Sequence, residues 1–295
     1  MNTNKSTILS REEIKLNESQ NKMIASGWGK KILENTITNR ITYLSDGLKV
    51  TGYISYPINN AQKYPVVVWN RGGYQNKGVI DQFTARGMFG QIANWGYVVL
   101  ASQYRGNSYS EGKDEAGGKD VNDIVNLISV ADEFKFADTS KLGIEGWSRG
   151  GMMSYLTLLK KINFKCVVLI GAISDFKNYV MSSENRVSVF KTMLGEDGFE
   201  KKLEERSALN FVKNLPKIPY LIMHGKSDET IPFEQSVKIA EKFSEMNYNH
   251  QLKLFENGDH YLKKHRKEVD ELRKNWFGKY LAPSPPKGEG FEDLL

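Results

Sequence analysis

Apolar residues along the 295-residue chain fall into two kinds of run. The first kind is short and unbroken. Val66-Val67-Val68-Trp69 has no polar position in it, the pattern of a strand covered on both faces. Similar runs recur at Tyr97 to Ala101, Leu142 to Glu145, Cys166 to Gly171, Tyr220 to Met223 and Gln251 to Phe255. Between them, apolar residues are spaced for helices over Val79 to Asn94, Gly118 to Phe134, Gly150 to Leu159, Pro232 to Met246 and His260 to Phe277. This alternation predicts an α/β domain with a mostly parallel central sheet and helices on both faces. Upstream, the β-rich runs Ile41 to Leu44 and Leu48 to Tyr56 flank Ser45-Asp46-Gly47, which predicts a hairpin.

The pattern also divides the chain. Residues 1–40 read as an N-terminal arm, loosely attached over its first half, because no sustained periodicity runs through them. Residues 41–281 hold the domain. Within it, the connection between Gly171 and Pro219 is too long for a plain crossover and carries helical spacing, so a small helical cap is expected at about 175–216. Residues 282–295, rich in Pro and Gly, read as a disordered tail.

Composition narrows the classes. Lys and Arg exceed Asp and Glu by 41 to 35, and the surplus is not gathered into a long basic block. The densest cluster, Lys263 to Lys267, reads as a solvated helix face, so no nucleic-acid partner is expected. Cys166 is the single cysteine, which excludes an internal disulfide, and its apolar neighbours predict a buried strand thiol. No apolar run approaches about 18 residues, and the polar first twenty lack a leader-like apolar core, so a cytoplasmic protein without a membrane partner is expected.

The chemistry concentrates at Gly146-Trp147-Ser148-Arg149-Gly150, a G-x-S-x-G between a predicted strand and a predicted helix. That context is the one a nucleophile elbow requires. A serine hydroxyl needs a base, usually a histidine oriented by a carboxylate. Of the four histidines, His224 ends a predicted strand, His250 opens one and His265 sits among basic residues of the last helix. His260 alone falls on a loop beyond the last strand, at the sheet edge where such groups gather. Asp228 lies on the same rim and completes the order Ser148, Asp228, His260; Asp175 and Asp259 are its rivals. Two donors for a tetrahedral oxyanion are expected from the backbone N–H of Arg149 and of Gly73, with Tyr74 as a weaker candidate for the second. Arg71, Arg105 and Arg149 fall on or near the rim, and surface or structural ion pairing is the reading preferred for each over a grip on a substrate carboxylate.

Together these motifs resemble the catalytic domain of the prolyl oligopeptidase family of serine peptidases, within the α/β-hydrolase fold. The resemblance runs from about Ile41 to Tyr280 and is carried by the SDG hairpin, RGGY, QYRGNSYSEGKDEAGGKDVNDI, GIEGWSRGG, IPYLIMHGKSDETIPFEQS and FENGDH. It implies Ser148 as nucleophile, Asp228 as acid and His260 as base, with a spacing similar to that of the acylaminoacyl peptidase branch. It implies an acyl-enzyme mechanism without metal or cofactor. A serine-type peptidase acting on small peptides or aminoacyl amides comes first, and a carboxylesterase acting on small esters second. A non-catalytic binding protein would be marked by loss of the serine or the histidine, and neither is lost. Two departures stand out: only about 40 residues precede the first predicted strand, where family members usually carry a β-propeller, and Arg71 stands where relatives place Tyr or His.

Overall fold

The computed structural model describes residues 7–59 and 62–282. Its strands are β1 (Ile8–Glu13), β2 (Thr36–Ser45), β3 (Leu48–Pro57), β4 (Tyr64–Asn70), β5 (Val98–Ser102), β6 (Ala137–Trp147), β7 (Phe164–Ile170), β8 (Tyr220–Gly225) and β9 (His250–Phe255). They form one sheet in the order β1-β2-β3-β5-β4-β6-β7-β8-β9. The β2–β3 hairpin turns at Asp46-Gly47, and β1, β2, β3 and β5 pair antiparallel. From β5 across to β9 every neighbouring pair is parallel.

Unbroken apolar runs follow from burial on both faces. On β4, Val66 and Val68 join one core cluster while Val67 and Trp69 join the other. Helices Val121–Ala131, Arg149–Leu158 and Glu234–Glu245 supply Ile124, Met153 and Phe243 to the first cluster. Helices Gly90–Asn94 and Arg266–Tyr280 supply Ile92, Trp276 and Phe277 to the second. Each such side chain adds roughly 1.5–3 kcal/mol on burial.

The N-terminal segment differs from its sequence reading as a loose arm. β1 pairs with β2 along the sheet edge, and the helix Glu18–Trp28 follows, opened by a capping box between Asn17 and Gln20. The strand is held by main-chain bonds with almost all its side chains in solvent, so it leaves no hydrophobic period. The helix buries Ile24 completely while the rest of it stays largely exposed. Apart from Ala282, the predicted tail lies outside the described residues.

Two further boundaries shape the site. The last helix starts at Arg266, not at His260, because Leu262 takes a left-handed backbone and a short 3-10 turn, Lys263–His265, intervenes. The long connection after β7 folds into the short helices Phe176–Met181, Glu184–Leu194, Phe199–Glu204 and Ala208–Phe211. In the parallel part of the sheet the chain order reverses at β4, which has β5 on one side and β6 on the other. At such a switch point the loops leaving two neighbouring strands part to opposite faces and open a crevice.

Candidate active site

Ser148 follows β6 directly and opens the helix Arg149–Leu158 with φ 57° and ψ −124°, a strained backbone for a residue with a side chain. The flanking glycines are required by close approach. A Cβ on Gly146 would stand 2.3 Å from the Gly150 carbonyl oxygen, and one on Gly150 would stand 2.0 Å from that of Asn70. The turn is locked by Ser148 N–H donating to Ile170 O at 2.9 Å and by Ile173 N–H donating to Ser148 O at 3.2 Å. Beneath it, buried Glu145 pairs with Arg273 and accepts from the indoles of Trp69 and Trp147 at 3.0 and 2.9 Å.

Asp228 and His260 come from the loops after β8 and β9, which are adjacent parallel strands. His260 Nδ1 lies 2.7 Å from Asp228 Oδ2. The second ligand of that oxygen is His224 Nε2 at 3.0 Å, while Oδ1 accepts from the backbone N–H groups of Thr230 and Ile231 at 2.8 and 2.9 Å. Burial by itself raises the Asp228 carboxyl, but bonds from His224, His260 and the Ile231 N–H outweigh it and hold it well below the usual carboxylate range. An ionised carboxylate against Nδ1 places the imidazole proton there and leaves Nε2 with its lone pair. His224 Nε2 faces two acceptors, Asp228 Oδ2 and Ile231 O, so its proton sits on Nε2 and Nδ1 is left for the Ser236 hydroxyl at 2.7 Å.

The rivals fall elsewhere. Asp175 caps the helix Phe176–Met181 by accepting from Asn178 N–H, and Asp259 accepts from Lys263 N–H. A Cβ built on Gly171 would lie 3.5 Å from Asp228 Oδ2 and 3.4 Å from His260 Nδ1, so the end of β7, which holds the Ser148 backbone, abuts Asp228 and His260.

The loop after β4 packs against the elbow. A Cβ on Gly72 would lie 3.0 Å from that of Ser148. Gly73 has φ +71°, and a Cβ there would meet Lys77 O at 2.1 Å. Among the described residues, neither the Gly73 N–H nor the Arg149 N–H has a hydrogen-bond acceptor. The Arg149 side chain is buried and points away from solvent, bridging Asp114 and Asp120 at 2.7 Å each and donating to Gly73 O at 3.0 Å. Burial pushes Asp120 up to about 6. Arg105 pairs with Asp123 and Asp46. Arg71 departs from the ion-pair reading: it is fully buried, and among the described residues its guanidinium donates only to main-chain carbonyls. Burial, with Arg149 nearby, draws it down to about 10.

Ser148, His260 and Gly73 line one cavity of about 350 Å³. Its wall is aromatic and apolar: Tyr74, Trp147, Phe176, Tyr179 and Phe190, with Tyr261 at 64% exposure beside His260. Phe190 packs on Tyr74 with ring centroids 5.3 Å apart and on Phe176 at 5.0 Å, which ties the β4 loop to the helical connection. Among the described residues, no group of three or more His, Cys, Asp or Glu is placed to hold a metal ion, and no helix is long and apolar enough to cross a membrane.

The sequence profile of the prolyl oligopeptidase family, peptidase S9, matches residues 85–284. The chain belongs to this family. Its fold is the α/β-hydrolase fold of those serine peptidases. Uncharacterized peptidase YtmA of Bacillus subtilis strain 168 is 28% identical over 239 residues, covering 79% of this chain and 90% of that protein. Uncharacterized peptidase YuxL of the same strain is 27% identical over 282 residues, covering 89% of this chain but 42% of its own length. Among solved structures, Pyrococcus horikoshii acylaminoacyl peptidase superposes with a TM-score of 0.74 at 25% identity, over 89% of this chain and 44% of that one. The chain thus spans less than half of YuxL and of the archaeal peptidase.

For this prolyl oligopeptidase family member, the residues that motif reading passed over are those that hold the motif in place. His224 lies in β8 as its sequence reading as a strand end expects, and the turn after Gly225 brings the Asp228 carboxylate back onto its ring. Asp114 receives Arg149, the Gln75 N–H and the Asn107 amide, joining elbow, β4 loop and the 105–118 segment. The acidic residues spaced through EGKDEAGGKD were the available signal.

Proposed function

We propose that the protein is a serine-type peptidase acting on small peptides or aminoacyl amides through an acyl-enzyme. The 2.7 Å bond to a buried, ionised Asp228 from His260, which lines one cavity with a serine on a strained elbow, carries this reading. Ser148 Oγ attacks the substrate carbonyl carbon while His260 Nε2 takes its proton. The resulting oxyanion accepts from the N–H groups of Arg149 and Gly73, and loss of one such donor costs about 10²–10³-fold in kcat. The imidazolium, steadied by Asp228, returns the proton to the departing amine. Water then repeats the sequence on the acyl-enzyme and frees Ser148.

The cavity wall supports a substrate class. None of its described lining residues is Asp or Glu, and Lys77 and Arg149 are its only Lys or Arg. A free ammonium near the scissile bond finds no counter-charge there, whereas a blocked amino group and an apolar or aromatic acyl side chain fit the aromatic surfaces. Activity on small apolar esters is the second reading, supported by the same wall. Measuring kcat/KM on N-acetyl-phenylalanine p-nitroanilide, phenylalanine p-nitroanilide and p-nitrophenyl butyrate, with Ser148→Ala as blank, tests it. The blocked anilide should be cleaved at least tenfold faster than the free-amino one. Ester turnover with no anilide cleavage would select the esterase, and no turnover above the Ser148→Ala blank on any of the three would reject the catalytic assignment.

A further inference from the structure

Arg71 is a buried cation within the β4 loop that packs against the Ser148 elbow, and it has no acid to pair with. Its Nε donates to Gln103 O, Nη1 to Gly72 O and Lys77 O, and Nη2 to Gln75 O, each at 3.1 Å. Its guanidinium carbon lies 5.1 Å from the centroid of the Tyr104 ring, which is itself fully buried. Among the described residues no carboxylate lies within ion-pair distance of it, in contrast to Arg105, Arg149 and Arg273. Such a site costs desolvation, and four carbonyl dipoles offset part of that cost.

Three of those carbonyls belong to the β4 loop, which curls round the guanidinium. Left-handed backbone at Gly73, Gln75 and Gly78 lets the loop turn its carbonyls to one point. The consequence reaches the chemistry through the peptide plane. Among the described residues all peptide bonds are trans, and in a trans peptide C=O and N–H point in opposite directions. The Gly72 carbonyl and the Gly73 N–H are the two ends of one such plane. Fixing Gly72 O on Arg71 therefore fixes the direction of the Gly73 N–H, the donor assigned to the oxyanion. The next plane is held likewise, because Gly73 O accepts from the Arg149 side chain at 3.0 Å. A charged donor on the carbonyl also polarises the amide and strengthens its N–H as a donor.

We infer that Arg71 is a positioning residue for the oxyanion site: its guanidinium orients and polarises the Gly72–Gly73 peptide so that the Gly73 N–H is aimed and strengthened for the transition state. This rests on the reading of Ser148 as nucleophile, and the test separates the two. Wild type, Arg71→Met and Arg71→Lys are compared for melting temperature, labelling by a fluorophosphonate, kcat and KM on p-nitrophenyl butyrate, and inhibition by a phenylalanyl trifluoromethyl ketone, whose hemiketal oxygen mimics the oxyanion. For Arg71→Met we expect kcat to fall about 10- to 100-fold, less than or equal to the loss of a whole donor. KM should stay within about threefold, and the inhibitor should weaken by the same factor as kcat. Arg71→Lys keeps the charge but not the fork, so it should recover part of both losses. If Arg71→Met does not give a cooperative melt, Arg71→Lys against wild type carries the comparison, with an intermediate loss expected in both readouts. An unchanged kcat, or a loss confined to KM with inhibitor affinity retained, would overturn the inference while wild-type labelling leaves the nucleophile standing. Absence of labelling in folded wild type would instead reject the underlying function.

Discussion

Both oxygens of Asp228 are occupied by donors, two histidine nitrogens on one and two backbone N–H groups on the other, so the carboxylate has a single orientation. Asp228→Asn should lower kcat by about 10⁴-fold, because an amide cannot hold the imidazole in the tautomer that leaves Nε2 basic. A carboxyl depressed in the fold contributes stability above its unfolded value near 3.9, and that contribution is lost as pH falls through the folded value. Melting temperatures of wild type and Asp228→Asn should therefore differ most near about pH 7 and converge below about pH 4. A gap that stayed constant down to about pH 3 would contradict that assignment. The order Ser148, Asp228, His260 is legible in the sequence because it rests on side-chain types at particular positions along the chain. Arg71 was not, since its partners are carbonyls, which every residue type supplies and no pattern encodes.

At the scale of elements, the strands showed themselves wherever both faces are covered. β7 is such a strand, and burial pushes the thiol of Cys166 on it up to about 12. A maleimide should leave native protein unmodified and label one thiol after denaturation; rapid native labelling would mean that β7 opens. β1 and the helix Glu18–Trp28 stayed hidden for the opposite reason, one being an edge held by main-chain bonds and the other anchored by a single fully buried side chain. Ile24→Ala should accordingly cost about 2–5 kcal/mol, read as a lowered melting temperature with kcat unchanged. A neutral result would show the N-terminal helix to be loosely held after all. The apolar spacing predicts a last helix from His260, whereas His260 is bonded to Asp228 outside any helix and the helix begins at Arg266.

Across the whole molecule, the strand order does the assembling. The β4 loop and the β6 elbow meet at the switch point, while Asp228 and His260 arrive from β8 and β9 on the far side of β7, whose end holds the Ser148 backbone and, at Gly171, abuts both. Residues scattered from Gly73 to His260 thus line one cavity, and their order along the chain was readable long before their distances were. The aromatic wall was not readable, because Phe176, Tyr179 and Phe190 reach it from a connection whose path no local pattern specifies. The proposed function requires this assembly to make Ser148 a nucleophile. Intact-mass and peptide mass spectrometry after treatment with a fluorophosphonate tests it most directly. One adduct per chain, on Ser148, is expected in wild type, with none in Ser148→Ala and severely slowed reaction in His260→Ala. Folded wild-type protein that takes up no adduct, or takes it up on another residue, would contradict the account.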